Sequence, residues 1–272
     1  MHWPTPDPVA FSIFGLDVRW YGVLIASAVF LGFGIACRRA PSFGLKPDTV
    51  VDSLLIAIPL GVIGARLYYV LFHWDYYGGN LLRIFHIRGG GLAVHGALIL
   101  GILGIWLYCR AKKEPFLSLL DLLTPCVALG QSIGRWGNFF NREAHGGSTD
   151  LPWAIEIDGQ YVHPTFLYES LWCFLLFIFL LWFSKKRSFD GQIFLLYGIL
   201  YSLERFFVES LRTDSLMLFG LLKTAQAVSV TVIVLFVILY FVLRGRARKT
   251  IKEKIHEIRY RGSAQRGQEH FV

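Results

Sequence analysis

LSLLDLLTPCVALGQSIGRWGNFFNREAHGG, residues Leu117 to Gly147, changes character half-way along. From Leu117 to Ile133 it is apolar, with Asp121 as its one charge, and it approaches the ~20 helical residues that cross a bilayer. From Gly134 onward Arg135, Asn138, Asn141, Glu143 and His145 stand among glycines. Charged and amide side chains are expensive at membrane depth, so they usually mark function. The glycines let backbone come close to a ligand or another helix. The stretch predicts a membrane helix that ends in a functional lining at the membrane interface.

The rest of the chain agrees with a membrane setting. Its 272 residues are 54% hydrophobic and only 17% charged, too apolar for an ordinary soluble domain. Aromatic residues make up 16%, which suits interfacial belts. Cys37, Cys109, Cys126 and Cys173 all lie in or beside apolar runs, with no CxxC or Cys/His zinc spacing. Buried thiols are expected, not a disulfide framework or a metal site. The N-terminus, MHWPTPDPVAFSI, lacks a basic stretch followed at once by an apolar one. No cleavable signal peptide is therefore expected, and the first apolar segment should stay as a membrane helix.

Seven apolar segments follow: about Trp20–Ala36, Val50–Phe72, Gly91–Cys109, Leu117–Ile133, Thr165–Ser184, Ile193–Leu211 and Ala225–Leu243. The fourth and sixth are weakest, since Arg135 and Arg205/Glu209 sit at their far ends; those ends are expected to lie within protein. Basic residues cluster after alternate segments. Arg38, Arg39 and Lys46 follow the first, Arg110, Lys112 and Lys113 the third, and Lys185, Lys186 and Arg187 the fifth. Nine more follow the seventh, from Arg244 to Arg266. The positive-inside rule makes that side cytoplasmic. The expected fold is thus an all-α integral membrane protein of about seven transmembrane helices, with its N-terminus outside and its C-terminus cytoplasmic. Residues 1–244 form the polytopic domain, with external cap segments near 74–90 and 140–165, and 245–272 form a basic cytoplasmic tail. The net charge of +8 resides mostly in that tail. It suits topology and anionic lipid headgroups; no recognised fold accompanies it to suggest nucleic acid. A short surface helix is expected over Lys249–Tyr260.

This orientation gathers polar groups at one leaflet. Arg135, Asn138, Asn141 and Glu143 lie at the outer end of the fourth span, Glu204, Arg205, Glu209 and Arg212 toward that of the sixth. Trp20 and Tyr21 begin the first, and His95 follows Gly89-Gly90-Gly91 at the start of the third. Tyr201, Arg205, Glu209 and Arg212 are spaced i, i+4, i+8 and i+11, one face of a helix. One Glu neutralises one Arg, so a plain Arg205–Glu209 pair leaves Arg212 over. Arg135 has no acid a turn before it, and with Arg205 it would clamp a phosphate; the alternative is an ion pair with Glu143 or Glu209. His95 is either a satisfied core histidine or a general base, with Glu143 as a competing base. Arg66, in GVIGARLYYV, either pairs with an acid such as Asp52 or Asp121, or snorkels, or takes part in function.

Two motif matches lack their context. GQSIG, Gly130–Gly134, fits the G-x-S-x-G nucleophile elbow, but that motif needs a strand–turn–helix and here it lies in a helical apolar run. His145 to Asp150 has the H-x4-D spacing of glycerolipid acyltransferases, but in a loop.

GRWGNFFNREAHGG resembles the signature of the bacterial prolipoprotein diacylglyceryl transferases, approximately G-R-x-G-N-F-x-N-x-E-x-x-G. Gly134, Arg135, Gly137, Asn138, Phe139, Asn141, Glu143 and Gly146 match it. The resemblance extends through RWYG at Arg19–Gly22, GARL at Gly64–Leu67, the glycine turn at Gly89–Gly96, HPTFLYE at His163–Glu169 and the Tyr201–Arg212 stripe. Arg142 and Ala144-His145 fill variable positions.

The resemblance implies transfer of the diacylglyceryl group of phosphatidylglycerol onto the lipobox cysteine of a preprolipoprotein, in a bacterial cytoplasmic (inner) membrane. A thioether forms and glycerol phosphate leaves, with the site toward the outer leaflet. It implies catalytic roles for His95, Arg135, Glu143 and Arg205. Tyr21, Arg66, Asn138, Gly146, Tyr201, Glu209 and Arg212 are assigned to the headgroup and its lining, Gly146 by letting backbone approach the headgroup. No cofactor or metal is expected, since the donor is already activated as a phosphodiester. The partners implied are phosphatidylglycerol, signal peptides with a lipobox cysteine, and membrane lipids, not nucleic acid. A transporter or channel for an anionic solute is the main alternative, and an acyltransferase using His145 and Asp150 the second.

Overall fold

A computed structural model of the chain describes residues 7–86, 90–213, 217–218 and 222–269. Arg88 and Gly89, from the expected cap and glycine turn, lie outside them. In order come a hairpin of β1 (Val9–Ile13) and β2 (Leu16–Arg19), then helices α1 (Trp20–Arg39), α2 (Pro47–Phe72), the short α3 (Trp74–Tyr77), α4 (Val94–Lys112) and α5 (Phe116–Phe140). A second hairpin, β3 (Ile155–Ile157) and β4 (Gln160–Val162), leads to α6 (Thr165–Ser184) and α7 (Gln192–Leu211). A two-residue pair, β5 (Met217–Leu218) and β6 (Leu222–Lys223), precedes α8 (Thr224–Glu269).

Among the described residues, six helices are long and apolar enough to cross a membrane: α1, α2, α4, α5, α6 and the first part of α8. The protein is an all-α integral membrane protein. The expected sixth span, α7, has the length, at 20 residues, but Glu204, Arg205 and Glu209 interrupt its apolar character. Two other expectations shift. The fourth span does not end at Ile133: α5 continues to Phe140, which puts Arg135 and Asn138 on its last two turns. The expected last span and separate surface helix are one 46-residue helix, α8. No proline interrupts Thr224–Glu269, and a lone glycine such as Gly245 weakens a helix without ending it.

The chain divides into two compact units, residues 30–123 and residues 1–29 with 124–272. In the first, α2 and α4 cross through glycines. A methyl group on Gly64 would strike the carbonyl of Gly96, and one on Gly96 would strike that of Gly64. Small residues at such a crossing let backbones meet where lipid supplies no hydrophobic drive. Gly104 likewise makes room for Leu60. At the Lys46 end of the same pair, Thr49 donates to Glu114 (3.2 Å) and Tyr108 to Asp52 (3.1 Å).

In the second unit α5 is clasped to α6 by a reciprocal serine pair. Ser132 Oγ donates to the Ser170 carbonyl and Ser170 Oγ to that of Ser132, both at 2.9 Å, and Trp136 Nε1 donates to Ser170 Oγ at 3.1 Å. Ser132 is the serine of GQSIG, buried mid-helix, so the motif is a packing device. Ala128, Leu176, Leu180 and Ile193 form the apolar core beside this clasp.

Candidate active site

The last turns of α5 carry the signature, and the turn after them presents Glu143. Glu143 N donates to the Asn138 carbonyl at 3.0 Å, closing the helix. Arg142 and Ala144, on either side, have φ of 56° and 59°. Non-glycine residues adopt that left-handed conformation rarely and at some cost in strain. Glu143 Oε1 accepts from Asn138 Nδ2 (3.0 Å) and Asn141 Nδ2 (3.2 Å). The N-x-x-N-x-E spacing is therefore a local device: two amides hold one exposed carboxylate. Asn138, expected to face a headgroup, donates to Glu143.

The start of α1 covers the other side of this helix end. Trp20 stacks on Phe140, with centroids 5.2 Å apart, and the Tyr21 ring lies where a side chain on Gly137 would be. Gly137 thus makes room for Tyr21, a protein contact that the signature alone did not disclose.

Residues 144–164 form a loop that carries the short hairpin β3–β4. The β3–β4 hairpin turns at Asp158-Gly159, with φ of 50° and 78°, as a two-residue hairpin turn requires. Ile155, Ile157 and Val162 bury against Phe166, Trp136 and Phe139. Gly146 N donates to the His163 carbonyl and Gly147 N to that of Leu211, both at 2.9 Å, stitching this segment to the start of α6 and the end of α7. A Cβ on Gly146 would lie 2.6 Å from His163 Cβ and 3.0 Å from the Leu211 carbonyl oxygen. Gly146 is thus required by packing, without any ligand. His145 Nδ1 lies 3.1 Å from the Gly146 carbonyl, not with Asp150.

Glu169 on α6 is the centre of the charge cluster. It is 1% exposed, and in the apolar run from Thr165 to Ser184 it is the one charged residue. It forms an ion pair with Arg135 on α5. Its Oε1 lies 3.6 Å from Arg205 Nη1 and 4.0 Å from Arg212 Nη1. Arg205 Nη2 also pairs with Glu209 Oε2 at 2.6 Å, one turn on. So the plain Arg205–Glu209 pair exists, and Arg135 pairs with neither expected acid. The single-acid count along α7 fails because a second acid comes from another helix. Three guanidiniums converge on one carboxylate. Arg205 Nη1 is buried and makes no hydrogen bond among the described residues. Such a donor is costly to leave unmet.

Tyr201 stacks on Tyr197 with centroids 5.6 Å apart, and the Tyr197 hydroxyl donates to Gln131 Oε1 at 2.7 Å. Lys223, which pattern reading did not single out, donates to the carbonyls of Glu209 (2.7 Å), Ser210 (3.4 Å) and Arg212 (2.7 Å). A cation there satisfies the open carbonyls of a helix C-terminus and its dipole. It fixes the end of α7, which bears Glu209 and is followed directly by Arg212.

His95 and Arg66 belong to the unit of residues 30–123. His95 is exposed on the first turn of α4, with its ring 5.9 Å from that of Tyr68. Arg66 is 6% exposed and pairs neither with Asp52 nor with Asp121. Five hydrogen bonds tie it to main-chain carbonyls of residues 83–91. That accounts for its burial without a headgroup.

The model of the prolipoprotein diacylglyceryl transferase family matches residues 8–242. A Finegoldia magna protein is 52% identical over 234 residues, covering 86% of this chain and 94% of its own length. One from Clostridioides difficile is 50% identical over 248 residues, covering 91% and 100%, and one from Clostridium novyi 46% over 257, covering 91% and 100%. All three are named phosphatidylglycerol–prolipoprotein diacylglyceryl transferase. None of these names describes a transporter, and the anion-pathway alternative finds no support. With the family pattern matched across most of its length, this chain belongs to the prolipoprotein diacylglyceryl transferases.

Proposed function

We propose that this chain transfers the diacylglyceryl group of phosphatidylglycerol to the lipobox cysteine thiol of preprolipoproteins. The observation that carries this reading is the convergence of Arg135, Arg205 and Arg212 on Glu169, with a guanidinium nitrogen of Arg205 left without a hydrogen bond. A phosphodiester supplies the oxygens that such donors lack, and guanidinium forks match phosphate geometry.

The cysteine thiol loses its proton to a base, since the thiolate is the nucleophile. Sulfur attacks the glyceryl carbon that bears the phosphate. The C–S bond forms, the C–O bond breaks, and the electron pair leaves on glycerol phosphate. Arg135 and Arg205 stabilise the charge gained on departure, the largest contribution that positioned donors usually make. Glu143, held by two amides, and His95 are the two candidates for the base. Tyr21, Tyr201, Asn138, Glu209 and Arg212 line or support the site, while Arg66 and Gly146 serve it through the framework. The reaction is the first step of lipoprotein maturation in a bacterial cytoplasmic membrane. Following the charge pattern, the site faces the outer leaflet and the N-terminus is external.

The test is thioether formation by the purified chain in proteoliposomes, followed by mass spectrometry. Product is expected from phosphatidylglycerol with a lipobox cysteine peptide, and none with the Cys→Ser peptide. Anion flux without product from a folded chain would overturn the proposal.

A further inference from the structure

On the reading that His95 takes the thiol proton, we propose that Arg66 is a positioning residue: it fixes the place and direction of His95 through the main chain. Nε of Arg66 donates to the Ile84 carbonyl (2.8 Å). Nη1 donates to those of Gly90 (3.1 Å) and Gly91 (3.0 Å), and Nη2 to those of Arg83 (2.7 Å) and His86 (3.1 Å). A guanidinium has five N–H groups, and here five bonds use them in five directions. The Tyr77 ring covers its face, 5.0 Å from the guanidinium carbon. The segment before α4 is thereby drawn onto one side chain of α2.

The two residues before Arg66 continue the same attachment. Ala65 accepts from Ala93 N at 3.0 Å, and Gly64 meets Gly96 backbone to backbone. Gly91 lies against Arg66 and Tyr69 so closely that a side chain there would strike both. Gly64, Ala65 and Arg66 therefore hold residues 83–86 and 90–96 at successive points. His95 stands between two of the held residues, Ala93 and Gly96. Among the described residues its ring makes no hydrogen bond and has Tyr68 as its aromatic neighbour. Its direction is thus inherited from the backbone under it, and that backbone is set by α2. Lysine is no substitute at position 66, because an ammonium offers three donors from one point and cannot span carbonyls on both sides of a planar fork.

The experiment uses the full chain in detergent with phosphatidylglycerol and a lipobox peptide. Arg66→Lys is compared with the native chain, and Tyr77→Leu, which uncovers the guanidinium, serves if Arg66→Lys does not fold. Turnover is measured beside the rate at which diethyl pyrocarbonate modifies His95, read by peptide mass spectrometry. His145 and His163 in the same molecule are the controls. The expected result is a fall in kcat on the order of a hundredfold, the scale of an ångström-sized misplacement, with KM for both substrates retained. The His95 modification rate should change severalfold against unchanged His145 and His163. A fall in kcat with an unaltered His95 rate overturns the proposal, and so does a native kcat. His95→Gln separates the two claims: native turnover there removes His95 as the base. Altered His95 reactivity in Arg66→Lys still supports the positioning.

Discussion

Arg66 and Arg135 are both arginines on membrane helices, but the protein treats them differently. Arg66, on α2, is almost fully buried, and five main-chain carbonyls satisfy it. Arg135, on α5, keeps 20% of its side chain open and shares the Glu169 carboxylate with Arg205 and Arg212. Carbonyls are neutral, so the charge of Arg66 is solvated but not cancelled, and its geometry is locked. The Glu169 cluster leaves Arg205 Nη1 without a hydrogen bond among the described residues, and a phosphate oxygen can meet it. An intramembrane cation marks function in general; what its donors reach distinguishes framework from binding site.

The largest effect expected is on turnover. Arg135→Lys should cut kcat by about 10²–10³, the scale seen when one charge-stabilising donor is lost, without loss of the folded state. Next comes Glu169→Gln, which leaves guanidiniums without their shared anion. Breaking a buried pair costs roughly 3 kcal/mol, here at the low end because the arginines are partly open. Added glycerol phosphate should raise the thermal midpoint of Glu169→Gln more than that of the native chain, as ligand linkage demands. An equal rise in both would mean that the anion does not bind at this cluster. On the framework side, Gly64→Ala should cost about 1–3 kcal/mol from overpacking against the Gly96 carbonyl. Gly130→Ala, at a helical site with open space around it, should stabilise by roughly 0.5–1 kcal/mol. Thermal unfolding of both would show whether the crossing or the mere loss of glycine matters. Of similar size is Asn141→Ala, which removes one of two amide donors to Glu143 and should cost about 0.5–1.5 kcal/mol.

What the sequence disclosed follows this contrast. Spans are legible because about 20 apolar residues in a row have few other uses. The Tyr201–Arg212 stripe is legible because its spacing is helical. Glu169 was passed over as a site residue because its partners lie 34 to 43 positions away, although a lone acid in the apolar run of α6 was the signal to follow. The carbonyls that hold Arg66 are not legible, because main-chain acceptors leave no trace in residue identity. The short hairpins β1–β2 and β3–β4 were missed for a related reason: each strand has five residues or fewer. The β3–β4 turn places Asp158 in the left-handed region beside Gly159, a pairing that signals a hairpin.

The most direct measurement is the rate of thioether formation by the native chain and Arg135→Lys. Phosphatidylglycerol and the cysteine peptide are both at saturation, and thermal unfolding confirms that both chains are folded. Rapid product from the native chain and a rate lower by at least about 10² in the variant are expected if Arg135 stabilises the departing phosphate. Equal rates in the two folded chains would contradict it.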